Sequence, residues 1–332
     1  MRSEPGAARA ILCRDWGGPE TLEMAEIAWP TPGPGQVTVA LEAVGVNFAD
    51  SLIIAGKYQE KPDLPFSPGL EGAGVIHAVG DGVSRVKPGD RVMALFDHGG
   101  FAEAALAREG DVHLLPDGID AVTAAGLPIT YGTAHGALVW RANLQPGETL
   151  LVHGAAGGVG LAAVEVGKAL GATVIATAGG ADKLAIAAEH GADHLIDYRE
   201  EDIRERVKAL TEGRGADVVF DPVGGPVFQA SLRAVAWGAR LVVIGFAAGQ
   251  VTQIPANILL VKNISAIGLY WGSYRKHAPE LVAAQFRELF DWTLAGKLKP
   301  HVSHRLDLAQ AAEAITLLTE RRSTGKVVLT MG

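Results

Sequence analysis

Two periodicities of apolar and polar positions divide the chain. Over its first third, short apolar or alternating runs recur at Arg9–Leu12, Val37–Val46, Gly74–Val79, Arg91–Ala94 and Phe101–Leu106. Turn clusters separate them: PTPGPGQ at 30–36, VGDGV at 79–83 and KPGD at 87–90. Many short strands joined by glycine- and proline-rich turns predict a folded-over barrel or sandwich. Near Ala121 the pattern changes. Apolar runs at Thr149–His153, Thr173–Thr177, His194–Ile196, Asp217–Phe220, Arg240–Ile244 and Ile264–Tyr270 now alternate with amphipathic stretches at Gly158–Leu170, Asp182–His190, Asp202–Thr211 and Val227–Trp237. That alternation predicts an α/β domain with a parallel sheet covered on both faces, doubly wound because crossovers are right-handed. After Tyr270 come helical patterns at Pro279–Ala295 and Leu308–Arg321, then a short strand at Gly325–Thr330. This tail is too small for a third domain and is expected to return to the first. The expected division is therefore 1–122 for the β-rich domain, 123–271 for the nucleotide-binding domain, and 272–332 for the returning segment.

Composition narrows the function. The chain has 332 residues and 42 glycines, nearly twice the usual share of about 7%, which favours tight turns and close backbone approaches. The formal charge of −8 repels duplex nucleic acid and anionic membranes, so neither is an expected partner. A single cysteine, Cys13, rules out an intrachain disulfide framework and a thiolate zinc cluster; on its early strand it reads as inert packing. No apolar run reaches the roughly 18 residues of a membrane span. The opening MRSEPGAARAILCRDWGG lacks the apolar core of a leader. A reducing cytoplasm is the expected location.

The sharpest local feature is TLLVHGAAGGVG, residues 149–160. An apolar strand runs into a turn of small residues, and a helix opens at Gly158. In the spacing G-x-G-x-x-G the three positions are Ala155, Gly157 and Gly160. Gly157 lets the backbone approach a pyrophosphate and Gly160 lets the helix pack on the strand. Exposed amides around Ala156, Gly157, Gly158 and Val159 then bind phosphate, aided by the helix dipole. The second strand ends at Thr177-Ala178-Gly179-Gly180, where an NAD enzyme carries an acid for the ribose 2′-hydroxyl. No acid stands there, which removes the repulsion of a 2′-phosphate. Lys183 follows closely and Arg199 is a second cation. NADPH is the expected cofactor.

On these residues the chain resembles the zinc-independent quinone oxidoreductases of the medium-chain dehydrogenase/reductase superfamily, over essentially its whole length. The stretches carrying the resemblance are PGETLLVHGAAGGVGLAAVEVGK (146–168), VGVNFADSLIIAGKY (44–58) and PGLEGAGVI (68–76). Glu165 departs from the family, where many members carry Gln. The resemblance implies a GroES-like β-rich catalytic domain beside a Rossmann domain. Where zinc relatives supply Cys and His ligands, this chain has Asn47 and Leu70, neither a thiolate nor an imidazole. No metal is expected, and simple alcohol oxidation loses its Lewis acid. What remains is hydride transfer to a quinone or an α,β-unsaturated carbonyl.

The resemblance also implies site residues. Asn47 and Thr130 lie near the nicotinamide and the substrate carbonyl, and Tyr58 lines the substrate pocket. Gly157, Gly158 and Val159 touch the pyrophosphate. Lys183 and Tyr198 flank the adenosine 2′-phosphate, and Thr177 and Gly179 also belong to the cofactor-binding set. The turn Gly245-Phe246-Ala247 and the segment Leu269-Tyr270-Trp271 hold the carboxamide through backbone groups, and Lys326 reaches a phosphate. Some members have a Tyr and an Arg where Leu52 and Ile54 stand here, which leaves no side-chain proton donor in view and points to water as the proton source.

Simpler readings stand beside these. Asn47 is also a turn former. Asp50 reads as a helix-capping residue more readily than an acid, and Glu71 as a buried structural carboxylate. Thr130 and Tyr58 are compatible with plain packing, and His301 and His304 with surface positions. Two other functions fit the same chain: an enoyl-thioester (acyl-CoA) reductase, whose coenzyme would meet basic residues such as Arg275 and Lys276, and a non-catalytic NADPH- or RNA-binding protein. The segment ISAIGLYW (264–271) reads as an edge strand and predicts a homodimer.

Overall fold

In the computed structural model, which describes residues 6–332, the two periodicities become two units. Residues 1–5 of the opening segment read above for a leader lie outside the described residues. The first unit runs to Ile129 and resumes at Pro300–Gly332; the second is Thr130–Lys299.

The first unit holds strands β1 (Ala8–Cys13), β2 (Leu22–Ile27) and β3 (Gln36–Val46), helix α1 (Phe48–Ile54), strands β4 (Glu71–Val79), β5 (Arg91–Leu95), β6 (Ala104–Arg108) and β7 (Val112–Leu114), and helix α2 (Ala121–Ala125). The chain enters the second unit along α3 (Pro128–His135). There follow β8 (Thr149–His153), α4 (Gly158–Ala169), β9 (Thr173–Ala178), α5 (Ala181–Glu189), β10 (His194–Asp197), α6 (Ile203–Leu210), β11 (Ala216–Asp221), α7 (Gly225–Ala234), β12 (Val235–Val243), α8 (Ala256–Lys262), β13 (Ser265–Gly268), α9 (Tyr274–His277) and α10 (Pro279–Leu294). Back in the first unit are β14 (Val302–Asp307), α11 (Ala311–Thr319) and β15 (Lys326–Thr330).

In the second unit the parallel strand order is β10-β9-β8-β11-β12-β13, the doubly wound order with its reversal between β8 and β11. Leu151, Ile175, Val219 and Leu241 of the sheet join Phe228 and Leu232 of α7 in one core, as expected for strands with both faces covered. In the first unit, β14-β15-β3-β4-β5-β7 form one sheet with β6 also on β3, and β1 pairs β2 separately. Strand β15 runs antiparallel to β3 (Val328 opposite Gly45) and parallel to β14. The tail thus completes the first sheet. Its first portion does not follow: α10 clusters with the second unit, so the boundary falls after Lys299 and not at 272. The apolar face of α10 explains this. Phe286 is buried against Trp271, and buried Gln285 bonds the Gly132 carbonyl.

The helix predicted at Val227–Trp237 is shorter. It ends at Ala234 and Val235 is already extended, because Val235 pairs with Ala216 of β11; ladder formation overrides the helical pattern. No helix among the described residues is long and apolar enough to cross a membrane.

Candidate active site

The cofactor turn is built as the glycine spacing requires, with one correction to its register. The residue that needs the left-handed backbone is Gly154, at φ +59°; buried Ala155 has no such need. This is why Ala155 tolerates a side chain at the first fingerprint position. The Gly157 amide closes the turn on the Gly154 carbonyl at 2.9 Å. A β-carbon at Gly160 would collide with that same carbonyl. The first intrahelical bond of α4 runs from Leu161 N–H to Gly157 O, so the amides of Gly158, Val159 and Gly160 have no acceptor within the helix. Amides left this way at a helix start are suited to an anion.

Beneath the turn lies His153, fully buried on β8. Its Nδ1 is 2.9 Å from Thr177 Oγ1 and its Nε2 2.6 Å from Ser231 Oγ. Ser231 already donates to the Val227 carbonyl, so His153 Nε2–H donates to it and Nδ1 accepts from Thr177. Burial holds the imidazole below its ordinary pKa and keeps it neutral. Thr177 is fully buried beside it. Its hydroxyl serves His153, and its carbonyl accepts the Ala155 amide at 3.0 Å; it supports the turn from below.

At the end of β9 the structure gathers the expected adenosine-end residues. A β-carbon at Gly179 would lie 2.7 Å from both Tyr198 Oη and Arg199 Nε, so these side chains cover the bare glycine backbone. Lys183 is in the first turn of α5. Asp197 is turned inward: it accepts the Gly180 and Arg199 amides and braces the loop. Arg199, ranked second in the sequence, is thus the cation nearest Gly179 and Gly180.

The segments expected to hold the carboxamide are committed in part within the chain. Ala247 N–H donates to Pro222 O, and Phe246 O accepts from Gly249 N–H. Leu269 N–H donates to Val243 O, and Tyr270 O accepts from Ser273. The indole of Trp271 packs against Gly132 and Gly136 and donates to Gln285 at 3.0 Å. Gln285 donates in turn to Gly132 O and to His135 Nδ1, and His135 Nε2–H donates to Glu288 at 2.9 Å. The Trp271 side chain therefore anchors the segment to α3. Thr130, also on α3, is buried at 4% exposure.

In the first unit, Asn47 caps the N-terminus of α1 and its amide donates to Asp50 at 2.7 Å. Its side chain also belongs to a buried polar cluster. Nδ2 donates to Glu71 Oε1 at 2.7 Å, and Oδ1 accepts from Lys326 Nζ at 2.6 Å. Lys326 pairs with Glu71 as well, and Glu71 Oε2 accepts the Ile129 amide. Lys326 was expected to reach a phosphate; it is 4% exposed and its ammonium neutralises Glu71. Glu71 is structural, as read from the sequence. Burial pushes the Asp50 carboxyl up to about 7, opposed by the Asn47 amide and the Lys326 charge. The donor set does not fit zinc. Asn47 already bonds an ammonium, Leu70 is apolar and packs on the core, and Glu71 is paired. Tyr58 packs against the same core.

Comparison with known proteins agrees with this architecture. Residues 33–143 match the alcohol dehydrogenase GroES-like domain, and residues 158–289 match the zinc-binding dehydrogenase family. A quinone oxidoreductase-like protein 2 homolog of Nematostella vectensis is 44% identical over 324 residues, covering 97% of this chain and 88% of that protein. The chain belongs to the quinone oxidoreductase family of the medium-chain dehydrogenase/reductase superfamily. Among solved structures, the quinone oxidoreductase of Pseudomonas syringae pv. Tomato DC3000 superimposes with a TM-score of 0.92 at 37% identity, covering 98% of this chain and all of that one. The Escherichia coli quinone oxidoreductase, solved in complex with NADPH, gives 0.91 at 33% identity, covering 97% and 100%. Family membership makes the protein an oxidoreductase with a Rossmann-type unit and a GroES-like unit.

Proposed function

We propose that this family member is a zinc-independent NADPH-dependent reductase of quinones or α,β-unsaturated carbonyls. The observation that carries the reading is the pairing of a glycine turn with a cationic adenosine end. Bare amides stand at Gly158 and Val159, and Arg199 and Tyr198 cover Gly179 where an NAD enzyme carries an acid. The NADPH in the Escherichia coli relative supports the same cofactor. In our assignment Gly157, Gly158 and Val159 hold the pyrophosphate, and Lys183, Arg199 and Tyr198 hold the 2′-phosphate. Thr130 orients the nicotinamide, and Asn47 and Tyr58 border the acceptor. Bound NADPH supplies hydride from C4 of its nicotinamide. An acceptor made electrophilic by conjugation needs no metal to take it. The chain's role is to bind and orient both molecules, and the proton that completes reduction comes from water.

The test is NADPH oxidation by the purified protein with a panel of quinones and enones, including thioester-activated enones. Turnover with quinones or free enones is expected. Bound NADPH with no turnover across the panel would reject the reading.

We also propose a cytoplasmic homodimer formed at β13. This strand is the edge of the parallel sheet, and Leu260 and Val261 on the neighbouring α8 are more than 70% exposed. Light scattering at micromolar protein is expected to give twice the chain mass; a monomer would end the proposal.

A further inference from the structure

Glu165 sits in the middle of α4 and is 3% exposed. The function above makes no use of it. Its carboxylate receives donors from three separate segments. Oε2 accepts from the Tyr131 hydroxyl at 2.7 Å and the Lys299 amide at 3.0 Å, and Oε1 accepts from His190 Nδ1 at 2.5 Å. Tyr131 follows Thr130 on α3, and His190 caps the C-terminal end of α5, whose first turn bears Lys183. Thr130 and Lys299 are the first and last residues of the second unit, so one carboxylate anchors the chain at both ends of that unit. Burial, and then the Glu165 charge, drive the Tyr131 hydroxyl well above its usual pKa, so it remains a donor.

The rest of α4 makes mainly apolar contacts through Gly160, Leu161, Ala162, Ala163, Val164 and Val166. Apolar contact is strong but has little direction, whereas a hydrogen bond to a buried carboxylate fixes both distance and angle. We propose that Glu165 is a positioning residue: it pins α3 and α5 to the pyrophosphate helix, so that Thr130 and Lys183 meet a single dinucleotide at its two ends. This inference rests on the NADPH reading above. Hydride transfer is sensitive to ångström-scale misplacement of the donor carbon, and the three helices are connected only through β8 and β9, so a direct bond between the helices adds precision to that distance.

The experiment compares Glu165→Ala, Glu165→Gln and Tyr131→Phe in the full chain. NADPH affinity is read by calorimetry, kcat and KM with 1,4-benzoquinone as acceptor, and hydrogen exchange in the peptide holding Lys299. Glu165→Ala is expected to weaken NADPH about tenfold and to lower kcat at least as much, as for loss of a buried charged acceptor, with faster exchange at Lys299. Glu165→Gln keeps an oxygen for Tyr131 and Lys299, and its amide can donate to a neutral His190 ring, so it is expected to restore most of both. Tyr131→Phe removes one donor and is expected to fall between. Wild-type affinity, turnover and exchange in Glu165→Ala would overturn the proposal, as would a loss in Glu165→Gln equal to that in Glu165→Ala. If Glu165→Ala does not fold, wild-type behaviour of Tyr131→Phe serves as the overturning result. A wild-type protein that binds no NADPH would defeat the functional reading instead, and exchange at Lys299 would still report the clasp.

Discussion

The two units handle charge in opposite ways. The turn at 154–160 presents bare backbone amides and no charged side chain, so its capacity for an anion is unspent within the chain. The cluster at Asn47, Glu71 and Lys326 is made of side chains that satisfy one another out of water. The first arrangement is open to a ligand. The second is closed and serves as a piece of structure. The turn thus offers backbone geometry to a ligand, while the cluster spends its side-chain charge on structural cohesion.

Breaking each arrangement is expected to give a different phenotype. The largest effect belongs to the closed cluster. Lys326→Met leaves the Glu71 carboxylate buried with only Asn47 and Ile129 as donors, and is expected to cost about 3–5 kcal/mol of stability in urea denaturation. A cost below ~1 kcal/mol would mean the cluster is not structural. Next is the open turn. Gly160→Ala forces the Gly154 carbonyl aside and is expected to weaken NADPH about 100-fold in calorimetry while the protein stays folded; unchanged affinity would detach the turn from the cofactor.

The third prediction sharpens the contrast through pH. Asp50, raised to about 7 beside the cluster, binds its proton in the folded chain but not in the unfolded one between roughly pH 4 and 7. Its contribution to stability is thus present below pH 4 and lost as pH rises through 7, with a slope of at most about 1.4 kcal/mol per pH unit. Asp50→Asn keeps an oxygen for the Asn47 amide and is expected to remove that slope. Denaturation midpoints of the two proteins that stay parallel from pH 4 to 8 would contradict it. The smallest effect is selective: Lys183→Ala is expected to weaken NADPH by about fivefold to tenfold through a lost charge-assisted contact and to leave NADH almost unchanged. Equal loss for both would remove Lys183 from the 2′-phosphate site.

The same contrast explains what the sequence disclosed. A glycine turn is local, so its spacing, its flanking strand and helix, and the missing acid after Thr177 could all be read along the chain. Even there the residue in the left-handed conformation, Gly154, lay one position outside the expected fingerprint. Lys326 was misassigned because its partners stand 279 and 255 positions away, and no periodicity reports such a contact. The inward turn of the Trp271 and Thr177 side chains was hidden for a related reason: position near a strand end does not say which way a side chain turns. Glu165 was visible only as a departure from its family, and its three partners come from segments that folding alone brings together. Strand positions in the parallel sheet were read well because runs with both faces buried are apolar throughout, whereas β2, β7 and β14 are short or half-polar and gave no run to find.

The place of β15 has a consequence for biogenesis. This strand lies between β14 and β3 in the first unit's sheet and carries Lys326. On a chain leaving the ribosome, every strand of the second unit emerges before β14 and β15 do, and that unit is contiguous. It is therefore free to fold during synthesis, while in the first unit the Ala43–Val46 end of β3 waits for the last strand to arrive. Newborn molecules pass through a stage in which the nucleotide fold is complete and the other half still exposes a strand edge, the stage at which a chaperone would find them.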